Sequence, residues 1–492
     1  MTAADFCDRN AQSFPNKEAL IDRSRRLTWR QVKDLSDRLA VGLIRLSLAR
    51  NALVLVQLPN SVELFLVRLA AEKAGLRLIT VTSAFRAAEL APILQFTKPE
   101  AVITLNEYRG FNHHELFQSL HGPELKHILI EDHLQEIFTR DVGEPPKERR
   151  HTIRDVCQIA TTSGSTGIPK CVEVPLYTRL MTGSTHVKRF QITPDDTLAA
   201  VTPIVTGTAD ALVYNGGCEL GARIVLIDHF SPDPTCAVLE SERVTAIPLV
   251  PTMMARMIAM PNLSHYKLAI RVVVNHGSIL PWVQGVETEE RLGCRIMQGY
   301  GSVDCGGIAA TYWDDPREVR LATVGRPLDG NEIRIVDGRL LVRGPHTDAR
   351  FFNNPELNGS KRQDGFFDLQ ELVRQDANGN LILMGREQDL IIRGGQNIYP
   401  ADIEAVLVQH PHVTEACVIG IPDSELGEVI GAYVVCKPGV QINTADVAAF
   451  LERRGLARFK WPARVEVVES LPKVASGHKI DKKKLKALLA AQ

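Results

Sequence analysis

No stretch of the 492 residues approaches 18 consecutive apolar positions, so no transmembrane helix is expected. The N-terminal MTAADFCDRNAQSFPNKEAL has no basic segment leading into an apolar one, and it does not read as a secretory signal. CxxC pairs are missing as well. The nine cysteines are scattered, which excludes zinc-ribbon spacing and a disulfide framework. Scattered thiols suit a reducing compartment, and the cytoplasm is the expected location. Neither charge sign is in excess. The 57 Lys and Arg against 58 Asp and Glu leave a formal net charge of −1, so no global field recruits nucleic acid or an acidic membrane. Internal repeats and low-complexity tracts are also lacking, and the lysine-rich end, KIDKKKLKALLAAQ, reads as a solvated helical face.

What is there is an ordinary globular composition, 45% hydrophobic and 23% charged, in a chain long enough for more than one domain. Residues 27–46 have helical spacing of Val32, Leu35, Leu39 and Leu43, with Thr28 placed to cap. Residues 52–58 and 76–81 are short apolar runs that read as buried strands, and 60–75 lies between them as a helix. This rhythm returns over 198–275 and implies parallel sheets covered by helices. From Gly325 the pattern changes: apolar stretches 332–336 and 339–342 flank Asp337-Gly338, a strong hairpin signal. After Gly385 a third style begins, helix at 402–410, strands at 416–421 and 431–437, helix at 444–454, as in a small α+β domain.

The sharpest chemical signal is Thr161-Thr162-Ser163-Gly164-Ser165-Thr166-Gly167-Ile168-Pro169-Lys170. Glycines let backbone N–H groups approach an anion, hydroxyls add donors, and a lysine adds charge. Such a loop suits phosphate oxygens, yet it lacks the GxxxxGK[ST] spacing of a Walker loop. Strand-like residues 156–160 and 171–174 on either side argue against a flexible linker.

The loop resembles the phosphate-binding signature of the adenylate-forming superfamily, which includes acyl- and aryl-CoA synthetases, peptide-synthetase adenylation domains and beetle luciferases. Further segments are similar to that family in order along nearly the whole chain. They are Tyr300-Gly301-Ser302-Val303-Asp304, Gly325-Arg326-Pro327, Leu341-Val342-Arg343-Gly344-Pro345, Gly385-Arg386 through Asp389, Gly394-Gly395-Gln396-Asn397-Ile398-Tyr399-Pro400, and Pro472 through Ile480. The resemblance implies an α/β fold: a large N-terminal domain, 1–386, of parallel sheets with helices plus a β-barrel-like subdomain, and a small α+β C-terminal lid, 387–492. It implies ATP-dependent conversion of a small carboxylic acid to an acyl-adenylate, with Mg²⁺ and then coenzyme A.

Roles follow from the resemblance residue by residue. Thr162, Ser163, Gly164, Ser165, Thr166, Gly167 and Lys170 would hold the phosphates. Tyr300 would stack on adenine beside Gly301, with Gly277 and Ser278 close to the base. Asp304 would orient Mg²⁺, Arg386 would reach the ribose or α-phosphate, and Glu371 would bind the ribose, with Asp368 as the alternative. Lys479 would act on the carboxylate and α-phosphate, and Gly394 and Gly395 would border the pantetheine arm. Thr206, Gly207, Asp210, His276 and Gly306 are placed at the acid. Departures from the family pattern are Val303, Glu371, the inserted His478 before Lys479, Gln388 at the hinge, and Thr206 where many relatives carry histidine. The 394–400 run looks like that of CoA ligases, whereas Phe450 through Ala457 resembles dihydroxybenzoate–AMP ligases, so loading of a carrier-protein thiol stays open. A weakened nucleotide- or acyl-binding relative of these enzymes is a further reading, and a homodimer is compatible with all of them. The identity of the acid is not legible.

Overall fold

The computed structural model describes residues 1–120, 122–140, 142–162, 170–205, 207–393, 396–423, 425–473 and 480–490, with the backbone alone for Thr162, Arg386, Asn397 and 488–490. Local chemistry sets the first elements. Helix Trp29–Arg45 starts at Thr28, whose hydroxyl accepts from Gln31 N while Gln31 accepts in return from Thr28 N, a capping box. Its Val32, Leu39 and Leu43 are buried. Helix Val62–Ala74 is capped by Ser61 and ends at Gly75, which adopts a left-handed φ of 68°. Apolar residues surround nearly all of this helix, so it sits between layers and not at the surface.

Among the described residues two large sheets form the N-terminal part. One has nine strands in the order Arg326–Pro327, Gly306–Ala310, Arg295–Ser302, Val272–Asn275, Ala246–Leu249, Thr197–Ala200, Arg223–Leu226, Glu18–Ile21, Arg26–Thr28. Its central strands are parallel and its edges antiparallel. The other has seven strands, from Arg350–Phe351 through Lys170–Pro175, Val156–Thr162, Arg77–Thr80, Leu53–Val56 and Ala101–Ile103 to His127–Leu129. The region expected to be barrel-like takes the form of a five-stranded antiparallel sheet built on Phe366–Gln375. Its hairpin turns at Asp337 and Gly338, both at positive φ, 51° and 78°, as the Asp-Gly pair predicts. A smaller C-terminal domain has a sheet of its own, and its core draws on Ile391, Ile403, Val418, Ile430, Phe450 and Leu451.

Helices join the two large sheets. Helix Leu176–Arg189 lies against the π-helical segment Ala209–Gly216, and their backbones touch: a Cβ on Gly183 would stand 2.2 Å from the Ala211 carbonyl oxygen. Charges are buried in this layer. Arg68 pairs with Asp210 at 2.7 Å and lies 3.4 Å over the Tyr214 ring, and Lys73, fully buried, pairs with Asp8 at 3.0 Å. No helix among the described residues is long and apolar enough to cross a membrane.

Three buried histidines give the fold an acid-sensitive window. Burial pushes His113 and His151 down to about 4 and His186 to about 3, from the ordinary 6.5. Between those values the unfolded chain binds protons that the folded chain refuses, so stability present above pH 6.5 is lost as pH falls toward 4. The slope is roughly 1.4 kcal/mol per histidine per pH unit. Urea unfolding from pH 7.5 to 4.5 should show this decline, and a flat profile would contradict it.

Candidate active site

The segments singled out by the sequence lie at carboxyl ends of parallel strands, where open α/β sheets bind ligands. Val156–Thr162 leads into 163–169, Thr197–Ala200 into the stretch containing Gly207, Val272–Asn275 into His276 and Gly277, and Arg295–Ser302 carries Tyr300 toward Asp304. Contacts between the two sheets bring these ends together. Gln158 donates to the Val205 carbonyl across the junction.

The strands on either side of the phosphate-loop candidate pair with each other. Lys170 pairs with Thr162 in register, and Val156–Thr162 runs antiparallel to Lys170–Pro175. Ser163, Gly164, Ser165, Thr166 and Gly167 lie outside the described residues. Lys170 Nζ stands 3.3 Å from Asp304 Oδ2 and faces the Phe351 ring at 5.7 Å. Lysine and carboxylate from two different sheets thus share one spot, with both side chains partly open to solvent. Lys361, which the sequence did not single out, adds charge nearby: burial and then Lys170 lower its pKa from the usual lysine range. Among the described residues no group of three or more His, Cys, Asp or Glu side chains is arranged to hold a metal.

The nucleoside-side candidates also meet. Tyr300 Oη donates to Glu371 Oε2. Glu371 lies directly opposite Arg386 in the antiparallel pair of Phe366–Gln375 with Leu381–Arg386. Asp368, the alternative to Glu371, is engaged locally: it accepts from Gln370 N at 2.8 Å and pairs with Arg339 at 3.4 Å. Gly301 is solvent-exposed but tight to its partner strand, since a Cβ there would lie 2.6 Å from the Gly306 carbonyl oxygen.

At the acid side, Gly207 takes a positive φ of 60°, and a Cβ on it would come within 3.9 Å of His276 Nδ1; Gly277, next in the chain and expected at the base with Ser278, also takes positive φ, 78°. Ser278 is exposed, and its carbonyl accepts from Asn275. One expected member of the acid group sits elsewhere. Asp210 is fully buried between Arg68 and Arg179, at 2.7 and 3.4 Å, and also accepts from Asn215. Those buried cations need its charge, so it does not face the acid. Gly306 is a glycine for packing reasons: at φ 120° its Cβ would strike the His346 carbonyl oxygen at 2.0 Å. Thr206 lies outside the described residues.

Lys479, Gly394 and Gly395 also lie outside the described residues. Lys473 and Ile480, which bracket the C-terminal motif, pair as an antiparallel bridge. The neighbouring lysines are engaged: Lys473 with Glu415 at 3.4 Å, and Lys482 with Glu404 at 3.0 Å.

Sequence reasoning missed Asn60. Its buried side chain donates to the carbonyls of Ala200, Thr202 and Ile227 at 3.0–3.2 Å and accepts from Ile204 N at 3.0 Å. It thereby ties two strand ends to the segment that enters the acid side. The one local signal was a polar residue, after Pro59, between a strand and a helix.

Comparison with known proteins shows the family and the fold. A family model described as AMP-binding enzyme matches residues 7–347, and one described as AMP-binding enzyme C-terminal domain matches 402–478. The 2-hydroxy-7-methoxy-5-methyl-1-naphthoate–CoA ligase of Streptomyces carzinostaticus is 31% identical over 97% of this chain and 91% of its own. The 2,3-dihydroxybenzoate-AMP ligase of Bacillus subtilis is 28% identical over 99% of this chain and 94% of its own. Among solved structures, the anthranilate CoA ligase AuaEII in complex with anthranoyl-AMP superposes with a TM-score of 0.91 at 24% identity, covering 100% of this chain and 98% of its own.

Asn60→Ala removes the side-chain partner of the Thr202 and Ile227 carbonyls and of Ile204 N, and it should lower the unfolding free energy by about 2 kcal/mol or more. It should also speed amide exchange around Ile204. Urea denaturation and hydrogen exchange measure both, and wild-type values in the two would refute the clamp.

Proposed function

Because the chain belongs to the AMP-binding enzyme family and is an adenylate-forming ligase, we propose that it activates a small carboxylic acid with ATP and passes the acyl group to free coenzyme A. The observation that carries the reading is the meeting of Lys170 with Asp304, beside the linked pair Tyr300 and Glu371. A cation and a hard oxygen stand where a loop of glycines and hydroxyls ends, and close to Asp304 in the chain Tyr300 on Arg295–Ser302 meets Glu371 on Phe366–Gln375.

In this reading Lys170 leaves Asp304 for the phosphates, helped by donors of 163–169. Asp304 would then be free to hold Mg²⁺, which when bound would offset phosphate charge. Tyr300 presents its face to adenine, and Glu371, with Arg386 opposite, receives the ribose hydroxyls. Gly207 and His276 border the acid. A carboxylate oxygen attacks the α-phosphorus, the bond to the bridging oxygen breaks, and pyrophosphate leaves. Negative charge gathers at the α-phosphate in that step, and Lys479 is assigned to offset it. The engagement of Lys473 and Lys482 with glutamates supports that choice among the C-terminal lysines. The coenzyme A thiol then attacks the acyl carbon and AMP departs.

We place the domain boundary at 386/387, with residues 387–492 acting as a lid that turns about Gln388 between the two half-reactions. Gly394 and Gly395 would then border the pantetheine arm, where a side chain would intrude. Similarity to CoA ligases over 394–400 supports coenzyme A as acceptor. The likeness to a 2,3-dihydroxybenzoate-AMP ligase favours a carrier-protein thiol as the second reading.

Two substitutions test the assignment of roles. Lys479→Ala should cut acid-dependent pyrophosphate exchange by roughly a hundred- to a thousand-fold while thioester formation from synthetic acyl-AMP persists. Normal exchange in that variant would remove the lysine from the mechanism. Glu371→Gln should raise KM for ATP by about one to two decades, the worth of a hydrogen bond to a charged group. If Asp368→Asn has that effect instead, the ribose carboxylate has been misassigned.

A further inference from the structure

The carboxylate assigned to the ribose stands on an irregular piece of strand. In the antiparallel pairing of Arg339–Arg343 with Phe366–Gln375, Leu341 lies opposite Asp368 and Arg339 opposite Leu372. Residues 369–371 therefore bulge against the single residue Leu340, and Glu371 closes the bulge. In its middle Gln370 has a φ of 56°, in the left-handed region that a residue with a Cβ adopts only at a cost. Gln370 is exposed, so burial does not hold it there.

Hydrogen bonds do, and most of them come from Lys361. The Lys361 carbonyl accepts from Asp368 N at 2.9 Å, at the start of the bulge, and its ammonium donates to Gln370 Oε1 in the middle. Asp368 adds a third tie by accepting from Gln370 N at 2.8 Å. Lys361 is itself anchored: its N–H donates to the Leu357 carbonyl at 3.1 Å, at the end of helix Pro355–Ser360. The residue that follows Gln370 is Glu371, which meets Tyr300 and lies opposite Arg386. A change of backbone angle at Gln370 swings that carboxylate away from both.

We infer that Lys361 and Gln370 are positioning residues for the nucleotide: their tether fixes the bulge that aims Glu371 at the ribose. The inference rests on the ribose role given to Glu371 above. The tether is charge-assisted, which favours it over a bond between neutral groups. It lies at the surface, where water can replace a lost partner, so its removal costs little global stability. The effect therefore belongs to nucleotide recognition and not to unfolding.

Acid-dependent pyrophosphate exchange with ATP, 2′-deoxy-ATP and 3′-deoxy-ATP tests this. Wild type should prefer ATP over at least one deoxy analogue by roughly 10- to 100-fold in kcat/KM, and Glu371→Gln should lose most of that preference. Lys361→Met should raise KM for ATP by roughly 5- to 10-fold and shrink the preference in step, with kcat and the urea midpoint near wild type. Lys361→Arg keeps a cationic donor and should retain part of the preference. Gln370→Gly added to Lys361→Met should also recover affinity for ATP, because glycine holds the left-handed conformation without a tether. A full wild-type preference in Lys361→Met would overturn the inference. So would a loss that falls equally on ATP and its deoxy analogues, which would make Lys361 a phosphate contact instead. If Glu371→Gln itself keeps the full preference, the ribose reading fails and takes this inference with it.

Discussion

The contact between Lys170 and Asp304 spans two sheets that share no strand. Each residue follows from its own sheet: Lys170 begins the returning strand of a hairpin, and Asp304 lies just past the end of Arg295–Ser302. For the two to meet, the sheets must be locked at one angle and offset. A site for a polyphosphate needs fixed positive charge, fixed hydrogen-bond donors and an oxygen for a cation, and no single element of secondary structure supplies all three. Here they are assembled at the junction of two layers.

The layer that locks the junction is unusually polar. Arg68 and Arg179 surround Asp210, Tyr214 donates to Glu72, and Lys73 is wholly enclosed with Asp8 and Asp37. Burying such pairs costs desolvation that their attraction only partly offsets, so an apolar layer would give at least equal stability. What the polar layer supplies is direction. Arg68 also donates to the Ile204 carbonyl, and Gln158 to that of Val205. Together with Asn60 these side chains hold the segment Ile204–Val205 by its backbone.

Much of this was legible in sequence where the physics is local. The cap at Thr28, the helix ending near Gly75 and the Asp337-Gly338 turn each depend on a few adjacent residues. The glycine-rich loop and Tyr300-Gly301 could be recognised because backbone approach demands glycine at set spacings. Asp210 was misplaced because nothing near it in the chain announces Arg68 or Arg179, which arrive from other helices. At Gly306 the packing demand was equally hidden, since the His346 carbonyl that excludes a side chain comes from far along the chain. Asn60 and Lys361 were passed over for the same reason. Their meaning lies in partners that only the packed chain reveals.

The fold and family establish adenylate formation, and the acceptor is where the account commits itself furthest. CoA and a carrier protein present the same pantetheine thiol, so variants of the lid glycines cannot separate them. A single-turnover experiment can. Enzyme, ATP, Mg²⁺ and an accepted acid are mixed until acyl-AMP has formed, and free coenzyme A is then added with both species followed by quenched-flow mass spectrometry. Loss of acyl-AMP matched by rapid appearance of acyl-CoA is the expected result. Acyl-AMP that persists in free coenzyme A and is consumed only when a pantetheinylated carrier protein is supplied would contradict it.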